Sequence, residues 1–226
     1  MIYNNIIKGK FISRPNRFIA IVDIDGKEEV CHVKNTGRLG ELLVPEKTVF
    51  LEISDNHERK TKYDLIAVYK GDMLVNIDSQ APNKIFGEWT ESSGFFGDIK
   101  LIRPECKYKN SRFDFYIETE KEKIFVEIKG VTLEENGVAK FPDAHTERGI
   151  KHLKELCECV KDGYSAYVFF IVQMEKAEYF TPNEKTHPEF AAALKSAADS
   201  GVTVKCLNCK VTPNTLAADK FVKVIV

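Results

Sequence analysis

The sequence predicts a mixed α/β protein in two parts, an OB-like β-barrel followed by an α/β core. Short apolar runs broken by turn signals fill the first third of the chain. From residue 80 onward, helical and strand-like periods alternate. One run there, Tyr164 to Met174 (YSAYVFFIVQM), is largely apolar, as expected of a central strand covered on both faces.

In the first part, Phe18 to Val22 and Glu29 to Val33 flank Asp25-Gly26, a strong hairpin-turn signal. Thr48 to Ile53, Tyr63 to Tyr69 and Met73 to Ile77 continue the pattern, with a turn expected between Thr36 and Leu43. About five short strands over 1–79, with no convincing helix, fit a small barrel of the OB type. The second domain is expected over 80–226. Pro82 suits the first turn of a helix that continues to Ser92. Strands follow over Asp98 to Lys107, Ser111 to Glu118 and Lys123 to Lys129, then a loop at Glu134 to Gly137. Ile150, Leu153, Leu156 and Val160 recur at three and four residues, which predicts a helix from about Thr146 to Lys161, ended by Gly163. His187 to Ser200 reads as another helix, with strands from Val202 and from Phe221.

The 226 residues carry 33 Lys and Arg against 34 Asp and Glu, a net charge of −1. That balance excludes a protein coated in positive charge, so any nucleic-acid surface must be a local basic strip. No run approaches the ~18 apolar residues of a membrane helix. The segment MIYNNIIKGKFISR lacks the apolar centre of a secretory signal. A cytoplasmic protein with no membrane partner is expected, its six cysteines reduced rather than paired. Cys206-Leu207-Asn208-Cys209 has zinc-like spacing, but Cys157 and Cys159 would have to complete the four ligands of a structural site.

The stretch Ser111 to Gly130, SRFDFYIETEKEKIFVEIKG, is an apolar hairpin interrupted by Asp114, Glu127 and Lys129. Side chains alternate across a strand, and a turn centred on Glu120 and Lys121 places Asp114 directly opposite Glu127. Directly opposed Cβ atoms lie only ~4.5–5.5 Å apart, so the carboxylates need a cation, a shared proton or a divalent metal between them. Mg²⁺ is a hard ion that takes one or two carboxylates together with water and phosphate. A lysine beside it is suited to orient water or stabilise developing charge. By spacing alone, an ordinary charged hairpin face remains the competing reading.

Asp on one strand and Glu-x-Lys on the next, within the order helix, three strands, helix, strand, resembles the PD-(D/E)XK restriction-endonuclease-like core, αβββαβ. That resemblance implies metal binding by Asp114 and Glu127, assistance to hydrolysis by Lys129, and Mg²⁺ or Mn²⁺ as cofactor. Phe113 stands where the superfamily's proline often does. An acidic residue of the first helix, Glu88 or Glu91, is expected to supplement the site, and Glu105 is a further candidate. Arg148 and His152, four apart on the next helix, share a side and are candidates for phosphate contact.

Longer blocks carry a closer resemblance. HVKNTGRLGELL, LEISDNHERKTKYDL, NIDSQAPNKI, SRFDFYI, VEIKGVTL, FPDAHTERGIKHLKEL and FFIVQ together resemble the sugar fermentation stimulation protein A family over nearly the whole chain. The resemblance implies an OB-like domain joined to a nuclease-like domain, with DNA, and possibly RNA, as partner. It also implies an alternative, a non-cleaving DNA-binding regulator of sugar (maltose) use. In the barrel, Lys8, Lys10, Arg14 and Arg17 cluster with Phe11 and Phe18, and a second basic strip runs from His57 through Lys60 to Lys62. Cations interleaved with aromatics suit a single-strand groove, although core aromatics with solubilising cations would look the same. Arg38, in Asn35-Thr36-Gly37-Arg38, is a further phosphate candidate. Gln173 is placed either to line the cleft or simply to finish its strand. His32, His57, His145 and His187 have no partner identifiable from sequence, and a homo-oligomer is possible.

Overall fold

The computed structural model describes residues 1–56 and 58–226. The first domain contains β1 (Ile6–Asn16), β2 (Ile19–Ile24), β3 (Lys27–Val33), β4 (Thr48–Ile53) and β5 (Tyr63–Lys70). β1 runs antiparallel to β2 and β4, β2 to β3, and β4 to β5. β3 then closes on β5 in parallel, completing a barrel whose strands have no long free edge. β6 (Met73–Asn76) pairs with β5 outside this ring.

The sequence reading missed β1 and counted β6 in its place. In IIKGKFISRPN the inward positions are Gly9, between Lys8 and Lys10, and Phe11, so a glycine stands where an apolar side chain would signal a strand. Gly9 is there because the barrel is tight. A Cβ on it would lie 2.5 Å from Val22 Cγ1 and 2.8 Å from the Asp23 carbonyl oxygen.

The second domain contains α1 (Ala81–Ser93), β7 (Ile99–Tyr108), β8 (Ser111–Thr119), β9 (Lys123–Val131), β10 (Leu133–Glu135), β11 (Val138–Phe141), α2 (Glu147–Lys161), β12 (Ser165–Val172), β13 (Tyr179–Pro182), α3 (Pro188–Asp199), β14 (Thr203–Val211), β15 (Leu216–Phe221) and β16 (Lys223–Val224). Six strands form the main sheet in the order β15-β14-β12-β9-β8-β7, with β12 parallel to both neighbours. The stretch expected as a loop at Glu134 to Gly137 is the tip of the β10–β11 hairpin, part of a four-stranded side sheet.

β12 behaves as its apolar run predicts. Val168 and Phe170 join one core cluster with Leu153 and Leu156 of α2, while Phe169 and Ile171 join another with Ile85 and Phe86 of α1. The two helices therefore cover opposite faces of the sheet. Thr146 starts α2 by accepting the Gly149 N–H at its hydroxyl, which satisfies one donor of the first turn. Pro82 occupies the first turn of α1, where no N–H is needed.

A buried polar knot joins the domains. Gln173, at the end of β12, donates through Nε2 to Asn76 Oδ1 at 2.8 Å and to the Asp78 carbonyl at 2.9 Å. Asn76 in turn donates to the Tyr3 hydroxyl at 3.0 Å. Its backbone N–H donates to the Gln173 carbonyl.

Adding a single methyl at Gly9 forces the barrel wall to shift. Gly9→Ala is expected to lower unfolding free energy by about 1–3 kcal/mol. Urea unfolding should show a lower midpoint with an unchanged slope; an unchanged midpoint would mean that the β1–β2 approach is not tight.

Candidate active site

β8 and β9 adopt the predicted register, with Glu118 opposite Lys123, Tyr116 opposite Phe125 and Phe115 opposite Val126. The ladder ends at Phe115 and Val126, and Asp114 and Glu127 come next on the two strands. Asp114 Oδ2 accepts the Ile128 N–H at 2.7 Å, and Oδ1 accepts Asn83 Nδ2 of α1 at 2.8 Å. Asn83 was not among the sequence candidates. It lies in the NIDSQAPNKI block, and its only signal was a polar residue in the first turn of an otherwise apolar helix face.

Glu127 is only 3 % exposed. Its Oε1 accepts from the Lys129 ammonium and from His152 Nδ1. Arg148 Nε donates to His152 Nε2 at 3.4 Å. With Nε2 accepting, the imidazole proton sits on Nδ1 and points at Glu127. The second oxygen, Oε2, is buried without a hydrogen-bond partner. Such an atom is costly to leave unsatisfied, and its lone pairs are free to accept a hydrogen bond or to coordinate a cation.

The two carboxyls are shifted in opposite directions. Burial, and then the Glu127 charge, raise the Asp114 carboxyl above the ordinary range despite its two hydrogen bonds. Burial also pushes Glu127 upward, but the His152 hydrogen bond and the Lys129 ammonium outweigh it and hold Glu127 below the ordinary range. Two oxygen-donor side chains with one orphaned oxygen fit a hard divalent cation that retains water. Among the described residues no cluster of three or more His, Cys, Asp or Glu side chains is arranged around a metal position.

Glu88 does not join this pair. Its carboxylate takes the N-terminal ammonium of Met1 at 2.5 Å, and five residues along a helix from Asn83 it faces another direction. Glu91 is exposed on α1, and Glu105 is exposed on β7 beside Arg112 at 3.7 Å. His152 is likewise not a surface phosphate contact, since it is 5 % exposed and holds Glu127. Arg148, exposed at the start of α2, keeps its terminal guanidinium nitrogens outside that hydrogen bond.

The barrel candidates divide. Arg14 is a structural residue: its guanidinium donates to the carbonyls of Arg17, Asn35, Gly37 and Arg38. Phe11 is core, whereas Phe18 is 55 % exposed. Arg38 grips the second domain, donating through Nε to the Asp143 carbonyl at 3.0 Å while its N–H meets Asp143 Oδ2 at 3.0 Å. Lys60 is exposed, but its neighbour Arg59 turns inward onto Asp64; His57 lies outside the described residues. His32 pairs with Asp64, and His187 Nδ1 accepts the Thr146 N–H. Cys206 and Cys209 sit in different core clusters on opposite faces of β14, and burial pushes the Cys209 thiol up to about 12, so neither is placed as half of a zinc site.

A cleft of ≈ 580 Å³ opens between the domains and begins one residue beyond Lys129, at Gly130. Gln173 lines it, as do Arg17, Arg38 and Lys140.

Barrel, core and site together define a two-domain protein in which an OB barrel is joined to an RE-type α/β domain with an Asp, Glu-x-Lys set on its sheet. The sequence profile "SfsA N-terminal OB domain" matches residues 12–77, and "Sugar fermentation stimulation protein RE domain" matches 80–215. The chain belongs to the sugar fermentation stimulation protein family. It is 57% identical over 225 residues to a sugar fermentation stimulation protein homolog of Clostridium beijerinckii, covering 100% of both chains. A homolog from Desulfitobacterium hafniense is 59% identical over 224 residues, covering 99% of this chain and 98% of its own. Among solved structures, SfsA of Pyrococcus furiosus in complex with Ca²⁺ is 29% identical, with a TM-score of 0.91 over 100% of this chain and 98% of that one. No helix among the described residues is long and apolar enough to cross a membrane.

Because Glu127 titrates lower in the folded chain than its unfolded value of about 4.3, its charge stabilises the fold above that pH and ceases to do so as pH falls through the folded value. In EDTA, Glu127→Gln is expected to cost about 1–3 kcal/mol at pH 7. The gap from wild type should close as pH drops below about 4. Urea titrations from pH 3 to 8 check this, and a gap independent of pH would show that the carboxylate charge is not the stabilising element.

Proposed function

We propose that this chain is a Mg²⁺- or Mn²⁺-dependent nuclease that hydrolyses phosphodiester bonds of DNA, with RNA as a second polymer to be tried. The observation that carries the reading is the buried Glu127 carboxylate, whose Oε2 has no partner, beside the Asp114 carboxyl that its charge acts on. Asp114 and Glu127 would hold the metal, which when bound would polarise the scissile phosphate and acidify a water molecule. The family relative from Pyrococcus furiosus was solved in complex with Ca²⁺, an ion that, like Mg²⁺, prefers oxygen ligands.

The chain's own residues supply the remaining chemistry. His152 holds Oε1 of Glu127 and so leaves Oε2 for the ligand. Asn83 and the Ile128 N–H fix both oxygens of Asp114, leaving each a further lone pair. The Lys129 ammonium, 14 % exposed at its side chain, is positioned to orient the attacking water or to meet charge developing on the phosphate. Arg148 has guanidinium nitrogens left for a phosphate oxygen, a bidentate geometry that lysine lacks.

Labelled single- and double-stranded DNA and RNA should be cut with Mg²⁺ or Mn²⁺ and not with EDTA. Lys129→Ala and Asp114→Asn should each lose cutting by about 10²–10³-fold or more, the size of a lost electrostatic contact in a transition state. Binding without cutting by the wild-type protein would overturn the nuclease reading in favour of a DNA-binding regulator.

A further inference from the structure

The interdomain cleft bears on which form of nucleic acid the proposed nuclease takes. Four cationic side chains line it, Arg14, Arg17, Arg38 and Lys140, against one carboxylate, Asp143. In a chain with a net charge of −1, this is a local concentration of positive charge. Asp143 accepts the Arg38 N–H and Arg14 is committed to backbone carbonyls. Lys140 shares its charge with Glu135, 60 % exposed. Arg17 is exposed and unpartnered at its guanidinium among the described residues. The cation left free to meet a ligand is therefore Arg17, at the β1–β2 turn.

The next residue is Phe18, one of the most exposed large hydrophobic side chains of the protein at 55 %. Its exposure is not a sign of a loose turn. Asn16 Oδ1 accepts the N–H groups of both Phe18 and Ile19, and the Val33 N–H donates to the Phe18 carbonyl at 2.8 Å. Arg14 also braces the turn through the Arg17 carbonyl. An aromatic ring held outward on a braced turn beside a free guanidinium is suited to stack a nucleobase whose phosphate meets the cation.

The cleft is also pinned. Arg38 bridges the domains through Asp143, and a Cβ on Gly37 would come within 2.6 Å of Asp143 Oδ2. Opening the cleft further would break these contacts.

We infer that the substrate enters as a single strand, with a base on Phe18, a phosphate on Arg17, and its backbone running through the interdomain cleft toward Lys129. This inference rests on the proposed nuclease function for the reacting site but concerns a separate surface. Fluorescence anisotropy in EDTA, with labelled single-stranded and fully paired oligonucleotides of one sequence, tests it on the full-length Asp114→Asn protein.

The single strand is expected to bind at least about tenfold more tightly than the duplex. Adding Phe18→Ala should weaken single-strand binding about 5- to 150-fold, the loss of one stacked base. Adding Arg17→Ala should weaken it and flatten its salt dependence by about one phosphate contact. Phe18→Leu, which keeps the bulk but not the ring, should behave like Phe18→Ala. Equal affinity for the duplex, or unchanged single-strand binding in Phe18→Ala, would overturn the inference even if the wild type cuts duplex DNA. Single-strand selective binding that depends on Phe18 would support it even if the wild type never cuts, in which case the nuclease reading alone fails.

Discussion

The burial of one carboxylate, Glu127, governs how the second domain is assembled around its sheet. A charge at that depth is tolerable only when it is paired and hydrogen-bonded, and two neighbours supply this for Glu127. Lys129 brings opposite charge from the same strand, while His152 reaches in from α2 and is itself oriented by Arg148. The position of α2 on the sheet is thereby tied to the chemistry of β9. Both contacts fall on Oε1, and the remaining oxygen stays buried and open. That asymmetry distinguishes the group from an ordinary buried salt bridge, in which both oxygens would be satisfied.

Asp114 is held by a different logic. Its neighbours are an amide from α1 and a backbone N–H, neutral donors that orient the carboxyl without neutralising it. Burial and the adjacent Glu127 charge therefore raise its proton affinity, while Glu127, with a cation and an imidazole on it, is held below its ordinary range. A divalent cation would relieve both the repulsion and the orphaned oxygen, which is why the proposed function and the local energetics point the same way.

Much of this was legible before folding because it is local. The β8–β9 register follows from a short turn and the period of two, and it brings Asp114 and Glu127 to the end of the same ladder. The apolar spacing of α2 and the continuous run of β12 likewise announced themselves. Other elements were hidden for identifiable reasons. β1 has a glycine and two lysines in its first half, so its inward face carries little hydrophobic signal. Glu88 satisfied the pattern of an acidic residue on the first helix, yet the helical period turns it toward the N-terminal ammonium. His152 and Arg148 were marked as a pair by their spacing, but nothing local says that one would be buried against Glu127.

The sequence by itself determined the main helices and the central strands, their order, the hairpin carrying Asp114, Glu127 and Lys129, and the family resemblance, because these depend on residues near one another in the chain. Only the tertiary structure decided which distant residues complete the site. Asn83 and His152 lie 31 and 25 residues from the carboxyls they hold. It also separated buried Phe11 from exposed Phe18 and committed Arg14 and Arg38 to backbone contacts. Hydrogen-bond partners and exposure depend on how the helices and the barrel settle against the sheet, and local periodicity leaves that arrangement open.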